Sequence, residues 1–232
     1  MMLDYSKHKA ILLQILKDIY SDTTIAPYLG FKGGTAALLF YDLDRKSVDL
    51  DFDLLDESKE TVVFEKIQRI TKSYGAITDS RVKHFNLFNV ISYAPNTQKI
   101  KVEVNRRNFG TRYELKTLLG ISMLVMTKAD MYAHKLMALC ERIGKTSRDI
   151  YDVYFFEKKG WEINKTIVED RSGVSFKKTL IKCIKLLEKM NNRHILDGLG
   201  ELLTDSQKDW ARAKLKEEAI FLLKVKVDGL GK

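Results

Sequence analysis

Cysteine and proline are both scarce in this sequence, with two of each among 232 residues. Two cysteines exclude a disulfide scaffold and are compatible with a reducing cytosol. The low proline content, together with 45% hydrophobic residues, excludes a disordered or collagen-like chain. No apolar run approaches the roughly 18 residues that a membrane span needs, and the first residues lack a signal-peptide core. We therefore expect a globular cytoplasmic protein that makes no contact with a membrane.

Basic residues outnumber acidic ones, 40 against 31, which gives a formal net charge of +9. The excess is +3 in residues 1–118 and +6 in residues 119–232. An excess of this size either attracts nucleic acid and nucleotide phosphates or only keeps the protein soluble. No block of consecutive basic residues resembles a nucleic-acid-binding tail, so charge leaves both interpretations open.

Hydrophobic periodicity divides the chain into two halves. In the first half, helical spacing at 6–20 (with Ser6 as the expected N-cap), 36–40 and 62–74 accompanies strand patterns at 47–54, 81–93 and 99–105. From about Ser122 onward the patterns are helical, without a convincing strand. The strongest of these helical segments are 123–143, 148–156, 176–190 and 206–227. We therefore expect an α+β protein with a mixed sheet and flanking helices in residues 1–118, followed by a helical bundle in residues 119–232.

Three aspartates alternate with apolar residues in the strand predicted over 47–54. Because successive side chains point to opposite faces, Asp49, Asp51 and Asp53 share one face, about 7 Å between neighbours, and repel one another. A divalent cation turns that repulsion into ligation, and Mg²⁺ favours one or two carboxylates plus phosphate oxygens. The alternative is an exposed face that happens to be acidic.

A second alternating segment, 100–105, supplies a further carboxylate, Glu103. Beside the aspartate strand it completes a set of acids that suits two-metal phosphoryl or nucleotidyl transfer. The alternative is that Glu103 only pairs with Lys101, Arg106 or Arg107.

A pair of glycines, Gly33 and Gly34, precedes Thr35 and the short apolar helix. Glycines let the backbone approach a ligand closely, and the first N–H groups of a helix attract phosphate. Thr35 either hydrogen-bonds a phosphate oxygen or caps the helix. The position of this loop, fourteen residues before Asp49, is the layout expected for holding a nucleoside triphosphate.

These segments resemble a known family. Gly33-Gly34-Thr35, followed by Arg45-x-Ser47-x-Asp49-x-Asp51-Phe52, looks like the first motif of the DNA polymerase β-like nucleotidyltransferases, in the form of their AbiEii/AbiGii toxin branch. Lys135-Leu136-x-Ala138-Leu139-x-x-Arg142 and Arg148-Asp149-Ile150-Tyr151-Asp152-Val153-Tyr154 resemble that branch's later motifs. Thr35 stands where many relatives have Ser, and Glu103 stands where the superfamily usually has Asp. The resemblance runs from about Gly33 to Tyr154.

The resemblance implies roles for individual residues. Asp49, Asp51 and Glu103 would ligate Mg²⁺ or Mn²⁺ and carry catalysis, with Glu103 also helping to deprotonate the acceptor. Lys135 would contact the triphosphate, and Asp149 or Asp152 would be catalytic or order the site. The residues expected to bind the nucleotide are Gly33, Gly34, Thr35, Arg45, Ser47 and Lys135.

Local sequence offers structural alternatives for the later motifs. Lys135 lies beside an apolar stripe, where a lysine usually extends its ammonium to water. Thr146 and Asp149 have capping-box spacing, and Arg148 could pair with Asp152 one helical turn on. The four histidines show no zinc-ligand spacing, so we expect no zinc site.

The expected reaction is transfer of NMP from an NTP to an acceptor. The resemblance implies an RNA acceptor such as a tRNA 3′ end, action as a toxin, and a cognate antitoxin as partner. Transfer to a protein or a small molecule, a non-catalytic nucleotide- or RNA-binding module, and a structural protein whose acidic strand binds nothing are the alternatives.

Overall fold

The computed structural model describes residues 4–231, which contacts divide into two compact units. The first runs up to Asp42 and includes Ser47–Asn108 and Arg112–Met126. The second comprises Leu43–Lys46, Phe109–Thr111 and the chain from Thr127 onward. The first unit therefore ends at Met126, eight residues after the boundary predicted at 118. The division into two domains at residue 118 stays a prediction.

A mixed seven-stranded sheet forms the centre of the first unit, in the order β3-β4-β5-β2-β1-β7-β6. β2 is antiparallel to β1 and parallel to β5, which places it inside the sheet. The strands are β1 Leu29–Lys32, β2 Leu50–Leu54, β3 Ala76–Val82, β4 Asn86–Ser92, β5 Ile100–Asn105, β6 Tyr113–Leu118 and β7 Ile121–Met126. The α+β class with a mixed sheet is therefore confirmed.

Three helices accompany the sheet: α1 Tyr5–Ser21, α2 Gly33–Phe40 and α3 Glu60–Lys72. All three were predicted from helical spacing, but the N-cap of α1 is Asp4, whose carboxylate accepts from the Lys7 amide, rather than Ser6. The core-facing residues of β2 follow the predicted alternation, since Leu50 and Phe52 are fully buried.

The prediction of no strand after Ser122 is wrong, because β7 occupies Ile121–Met126. It pairs in parallel with β1, about ninety residues earlier in the chain, and its residues Met123, Val125 and Met126 are buried. An apolar run covered on both faces of a sheet lacks the alternation that identifies a strand in sequence. The run predicted over 81–93 likewise holds the end of β3, a turn and β4.

Helices make up most of the second unit. They are α4 Lys128–Arg142, α5 Arg148–Lys158, α6 Lys165–Ser172, α7 Phe176–Lys189, α8 Asp205–Trp210 and α9 Lys216–Gly229, with a π-helical segment, Ala211–Leu215, joining the last two. Sequence patterns had missed α6, which has no strong apolar face. A disulfide between Cys140 and Cys183 links α4 to α7, so the cysteines, which composition alone left compatible with a reducing cytosol, are paired. Among residues 4–231, no helix is long and apolar enough to cross a membrane.

Candidate active site

The register of the sheet brings two predicted carboxylates side by side in the first unit. Asp51 on β2 lies opposite Glu103 on β5 and opposite Lys32 on β1. Asp53 lies opposite Asn105, two residues further along the same strands. Since neighbouring strands are about 4.8 Å apart, Asp51 and Glu103 are close enough for strong mutual repulsion.

Asp49 stands just before β2, in a segment held by side chains rather than by strand pairing. The Thr35 hydroxyl lies 2.5 Å from the Asp49 carbonyl oxygen and 2.9 Å from Oγ of Ser47. A ring nitrogen of buried His8, Nε2, lies 2.9 Å from the Val48 carbonyl oxygen. Thr35 and Ser47 are buried and position Asp49; their assignment as nucleotide ligands stays a prediction.

The ammonium of Lys101 lies within 4 Å of two of the three predicted metal ligands, Glu103 and Asp49. Its Nζ is 2.9 Å from Oε2 of Glu103 and 3.9 Å from Oδ2 of Asp49, and its backbone amide donates to Oδ1 of Asp49 at 3.4 Å. Burial alone would lower the pKa of Lys101, but the charges of Asp51, Asp49 and Glu103 outweigh it and raise that pKa. The pairing of Glu103 with Lys101, one alternative drawn from sequence, is therefore present.

Within residues 4–231, no three His, Cys, Asp or Glu side chains are grouped as a metal site needs. The Lys101 ammonium instead lies within 4 Å of the Asp49 and Glu103 carboxylates, and Asp51 stands opposite Glu103 on the neighbouring strand. Oxygen-rich acidic ligands of this kind suit Mg²⁺ or Mn²⁺. The residues present therefore fit a divalent cation chemically.

Asp53 shares the strand face of Asp51 but is already neutralised. Its buried carboxylate accepts from Lys32 Nζ at 2.5 Å, from Asn105 Nδ2 at 2.6 Å and from the Tyr113 hydroxyl at 2.6 Å. These three donors satisfy the carboxylate of Asp53 without a metal ion. Asp53 therefore has a different role from Asp49 and Asp51.

Gly33 approaches Asp51 more closely than any other residue type allows. A Cβ atom on Gly33 would lie 2.5 Å from Oδ2 of Asp51, and its φ of +79° is in the left-handed region. Gly33 and Gly34 begin α2, whose N-cap residue, Lys32, makes no side-chain cap hydrogen bond in the described chain. The first N–H groups of α2 therefore lack a capping side chain next to the acidic strand.

In the second unit, the charged residues of the later motifs form a network of ion pairs with Arg45. Nε and NH2 of Arg45 donate to the two carboxylate oxygens of Asp152 at 2.6 and 2.7 Å. Nζ of Lys135 lies 2.6 Å from Asp152 Oδ2 and 3.2 Å from Asp149 Oδ1. Arg142 completes the network, 2.7 Å from Asp149 Oδ2. With three cations and two anions, the network has a formal charge of +1.

The capping alternative for α5 is not met, and Asp152 has partners from outside its own helix. The N-cap of α5 is Ser147, without a side-chain cap bond in the described chain, so the capping box predicted from Thr146 is absent. Asp152 is paired with Arg45 and Lys135; burial would raise its pKa, but these two cations lower it to about 2. Arg45, predicted to bind nucleotide, directs all its nitrogens to interior acceptors, the third being the Lys46 carbonyl oxygen.

Sequence reasoning missed the residues that support the acidic strand β2. His8, Tyr113 and the role of Lys32 depend on contacts between segments far apart in the chain, for which no local pattern exists. Only Lys101 had a signal, since it alternates with Glu103 on β5 and must share its face.

Comparisons with known proteins give one family match and two solved structures of similar fold. Residues 14–218 match the family model described as nucleotidyl transferase AbiEii toxin, type IV toxin–antitoxin system. A crystal structure of a candidate nucleotidyltransferase from H. pylori superposes with a TM-score of 0.61 and 19% identity, over 99% of each chain. The structure of JHP933 from Helicobacter pylori gives the same score and identity, over 100% of this chain and 97% of that one. No curated protein matches.

The contact between Gly33 and Asp51 predicts the outcome of adding one methyl group. Gly33→Ala should lower the free energy of unfolding by about 1 kcal/mol or more, because alanine is strained in the left-handed region. Displacement of the Asp51 carboxylate should lower it by about 1–3 kcal/mol further. Gly120→Ala is the matched control, because Gly120 has φ +77° and no atom within 4 Å. Urea unfolding should show the larger loss for Gly33→Ala, and adding Asp51→Ala should reduce the difference, because it removes the carboxylate and leaves only Cβ of residue 51 in contact. Equal losses for both alanines would contradict the contact.

The charge network predicts an acid-dependent part of stability. In the folded protein the pKa of Asp152 is lowered to about 2. Its ionised carboxylate therefore contributes to the free energy of unfolding above pH 4, and this contribution is lost as the pH falls toward 2. Between those values the free energy of unfolding of the wild type should fall by about 2 kcal/mol more than that of Asp152→Asn. At pH 7 this variant should be less stable by about 3–5 kcal/mol, since Arg45 loses its buried partner.

The control is Asp209→Asn, whose exposed carboxylate pairs, within the described residues, only with Arg212 three positions further on. Its stability should follow the wild type at every pH within about 0.5 kcal/mol. Parallel curves for wild type and Asp152→Asn would show that Asp152 has an ordinary pKa in the folded protein.

Proposed function

Because the chain belongs to the AbiEii family of nucleotidyl transferase toxins of type IV toxin–antitoxin systems, we propose that it moves NMP from an NTP to a hydroxyl of an RNA acceptor. The observation that carries this proposal is the position of Asp51 opposite Glu103 in the sheet, with Asp49 one residue before β2. It is the acid set that nucleotidyl transfer requires.

Asp49, Asp51 and Glu103 would hold Mg²⁺ or Mn²⁺. When bound, the metal neutralises the charge that develops on the phosphate oxygens and lowers the pKa of an attacking hydroxyl. The protein's own part is to keep these carboxylates in place, through Thr35 behind Asp49 and through strand pairing for the other two.

In the proposed reaction, the acceptor hydroxyl oxygen forms a bond to the α-phosphorus while the bond to pyrophosphate breaks. Glu103 accepts the hydroxyl proton. The N–H groups of Gly33 and Gly34, at the start of α2, bind phosphate oxygens. Lys135 contributes an ammonium to the triphosphate, and Arg45 positions Lys135 through Asp152. The helices of the second unit, as a bundle, carry this lysine.

Charge on α7 favours RNA as the acceptor. Lys178, Lys182, Lys185 and Lys189 follow one another at spacings of four, three and four, so they share a helix face, and all four are exposed. Among the described residues none of them has a carboxylate partner. An array of unneutralised ammonium groups matches the regularly spaced phosphates of RNA. We place the protein in the cytoplasm, with a cognate antitoxin.

Labelled NTP tests both the reaction and its acceptor. The protein is incubated with Mg²⁺, α-³²P-labelled NTPs and separate pools of cellular RNA, protein and small metabolites. We expect label in RNA, and a loss of at least about a hundredfold for Asp49→Asn and Asp51→Asn. Asp56→Asn is the control, because Asp56 is an exposed carboxylate outside the cluster whose capping role asparagine preserves.

Label found only in protein or metabolites would refute the RNA acceptor while leaving nucleotidyl transfer intact. Absence of label in every pool, or full transfer by Asp49→Asn and Asp51→Asn, would refute the proposed reaction.

The α7 lysines predict a change in salt dependence. Binding of the acceptor RNA by Lys178→Gln/Lys182→Gln should weaken, and the slope of log K against log salt should be shallower by about 1.4–1.8, since two phosphate contacts are lost. Lys7→Gln/Lys17→Gln on α1 removes the same charge from exposed lysines elsewhere. An identical slope change in this control would mean that overall charge, not α7, attracts RNA.

A further inference from the structure

Lys101 is the cation around which the acidic cluster is arranged. Its side chain is 30% exposed, while those of Glu103 and Asp49 are 23% and 18% exposed. Its ammonium is in hydrogen-bond range of Glu103 and 3.9 Å from Asp49, as given above. Asp51 has no hydrogen-bond or ion-pair partner among residues 4–231, and its charge is one of the three that raise the pKa of Lys101.

This position conflicts with a second cation. An ammonium and a divalent ion a few ångströms apart repel strongly in a partly buried site. Lys101 is on a flexible four-carbon side chain, so it can leave the carboxylates without movement of β5. The backbone of Asp51 and Glu103, in contrast, is fixed by strand pairing and that of Asp49 by the hydrogen bond from Thr35, so these acids need a positive charge in either state.

We propose that Lys101 is a built-in counter-ion that holds Asp49, Asp51 and Glu103 together before metal binds and is displaced from them by the metal. The inference rests on the proposed function, because it takes these carboxylates to be the metal ligands. Its consequence is that Lys101 stabilises the metal-free protein and weakens its affinity for the metal.

Calorimetric titration with Mn²⁺, in the absence of nucleotide, tests the proposal. Lys101→Met should bind Mn²⁺ about tenfold or more tightly than the wild type, because no ammonium has to be displaced. Lys101→Arg keeps the charge and should bind as weakly as the wild type. Lys99→Met removes an exposed charge two residues away and should change Kd less than about twofold.

Thermal unfolding supplies a readout independent of affinity. In EDTA, Lys101→Met should melt below the wild type, and saturating Mn²⁺ should close the gap. A variant that folds only with Mn²⁺ present would support the proposal equally.

Two failures are distinguishable. If the wild type and Lys101→Met bind Mn²⁺ with the same Kd, or the variant binds more weakly, Lys101 is not a competing counter-ion and the proposed reaction stands. If neither protein binds Mn²⁺ and neither transfers NMP, the carboxylates are not metal ligands and both proposals are overturned.

Discussion

Repulsion between carboxylates on neighbouring strands is the constraint around which the first unit is arranged. β2 and β5 run in parallel, so Asp51 and Glu103 cannot move apart without breaking the sheet. Like charges at this separation destabilise a fold unless a cation lies between them. β5 itself carries a cation beside them, since the ammonium of Lys101 pairs with Glu103 and the charge of Asp51 helps to raise the pKa of Lys101.

The two aspartates of β2 show that the surrounding residues determine whether a carboxylate is available to bind a ligand. Asp51 and Asp53 share a face of β2, yet Asp53 is closed off by Lys32, Asn105 and Tyr113, whereas Asp51 faces Gly33 and remains without a partner in the described chain. A side chain on residue 33 would fill the space in front of Asp51. Glycine at position 33 leaves the carboxylate of Asp51 accessible, while that of Asp53 binds residues of the neighbouring strands.

Elements with local periodicity could be predicted from the sequence, and those that depend on distant pairing could not. The helices α1, α2 and α3 and the buried face of β2 follow from spacing alone. β7 was taken for a helix because its partner, β1, is about ninety residues away in the chain. The acids of the site were readable from alternation, but Lys101 was seen only as one of three pairing options for Glu103. That Lys101 lies near both Glu103 and Asp49 depends on the parallel pairing of β2 and β5, which cannot be deduced from the spacing of residues in the sequence.

The network around Lys135 is explained better by orientation than by stability. Buried ion pairs often contribute little net free energy, because removing charges from water costs about as much as their attraction returns. Here Asp152 receives two bonds from Arg45 and still accepts from Lys135, while Asp149 binds Lys135 and Arg142. An ammonium has three donors, and two of those of Lys135 point to these carboxylates. The direction of the third N–H donor is thereby fixed. The network as a whole keeps its surplus charge of +1. A freely extended lysine beside an apolar stripe would have neither property, and both are what a residue needs to meet an anionic phosphate in one fixed geometry.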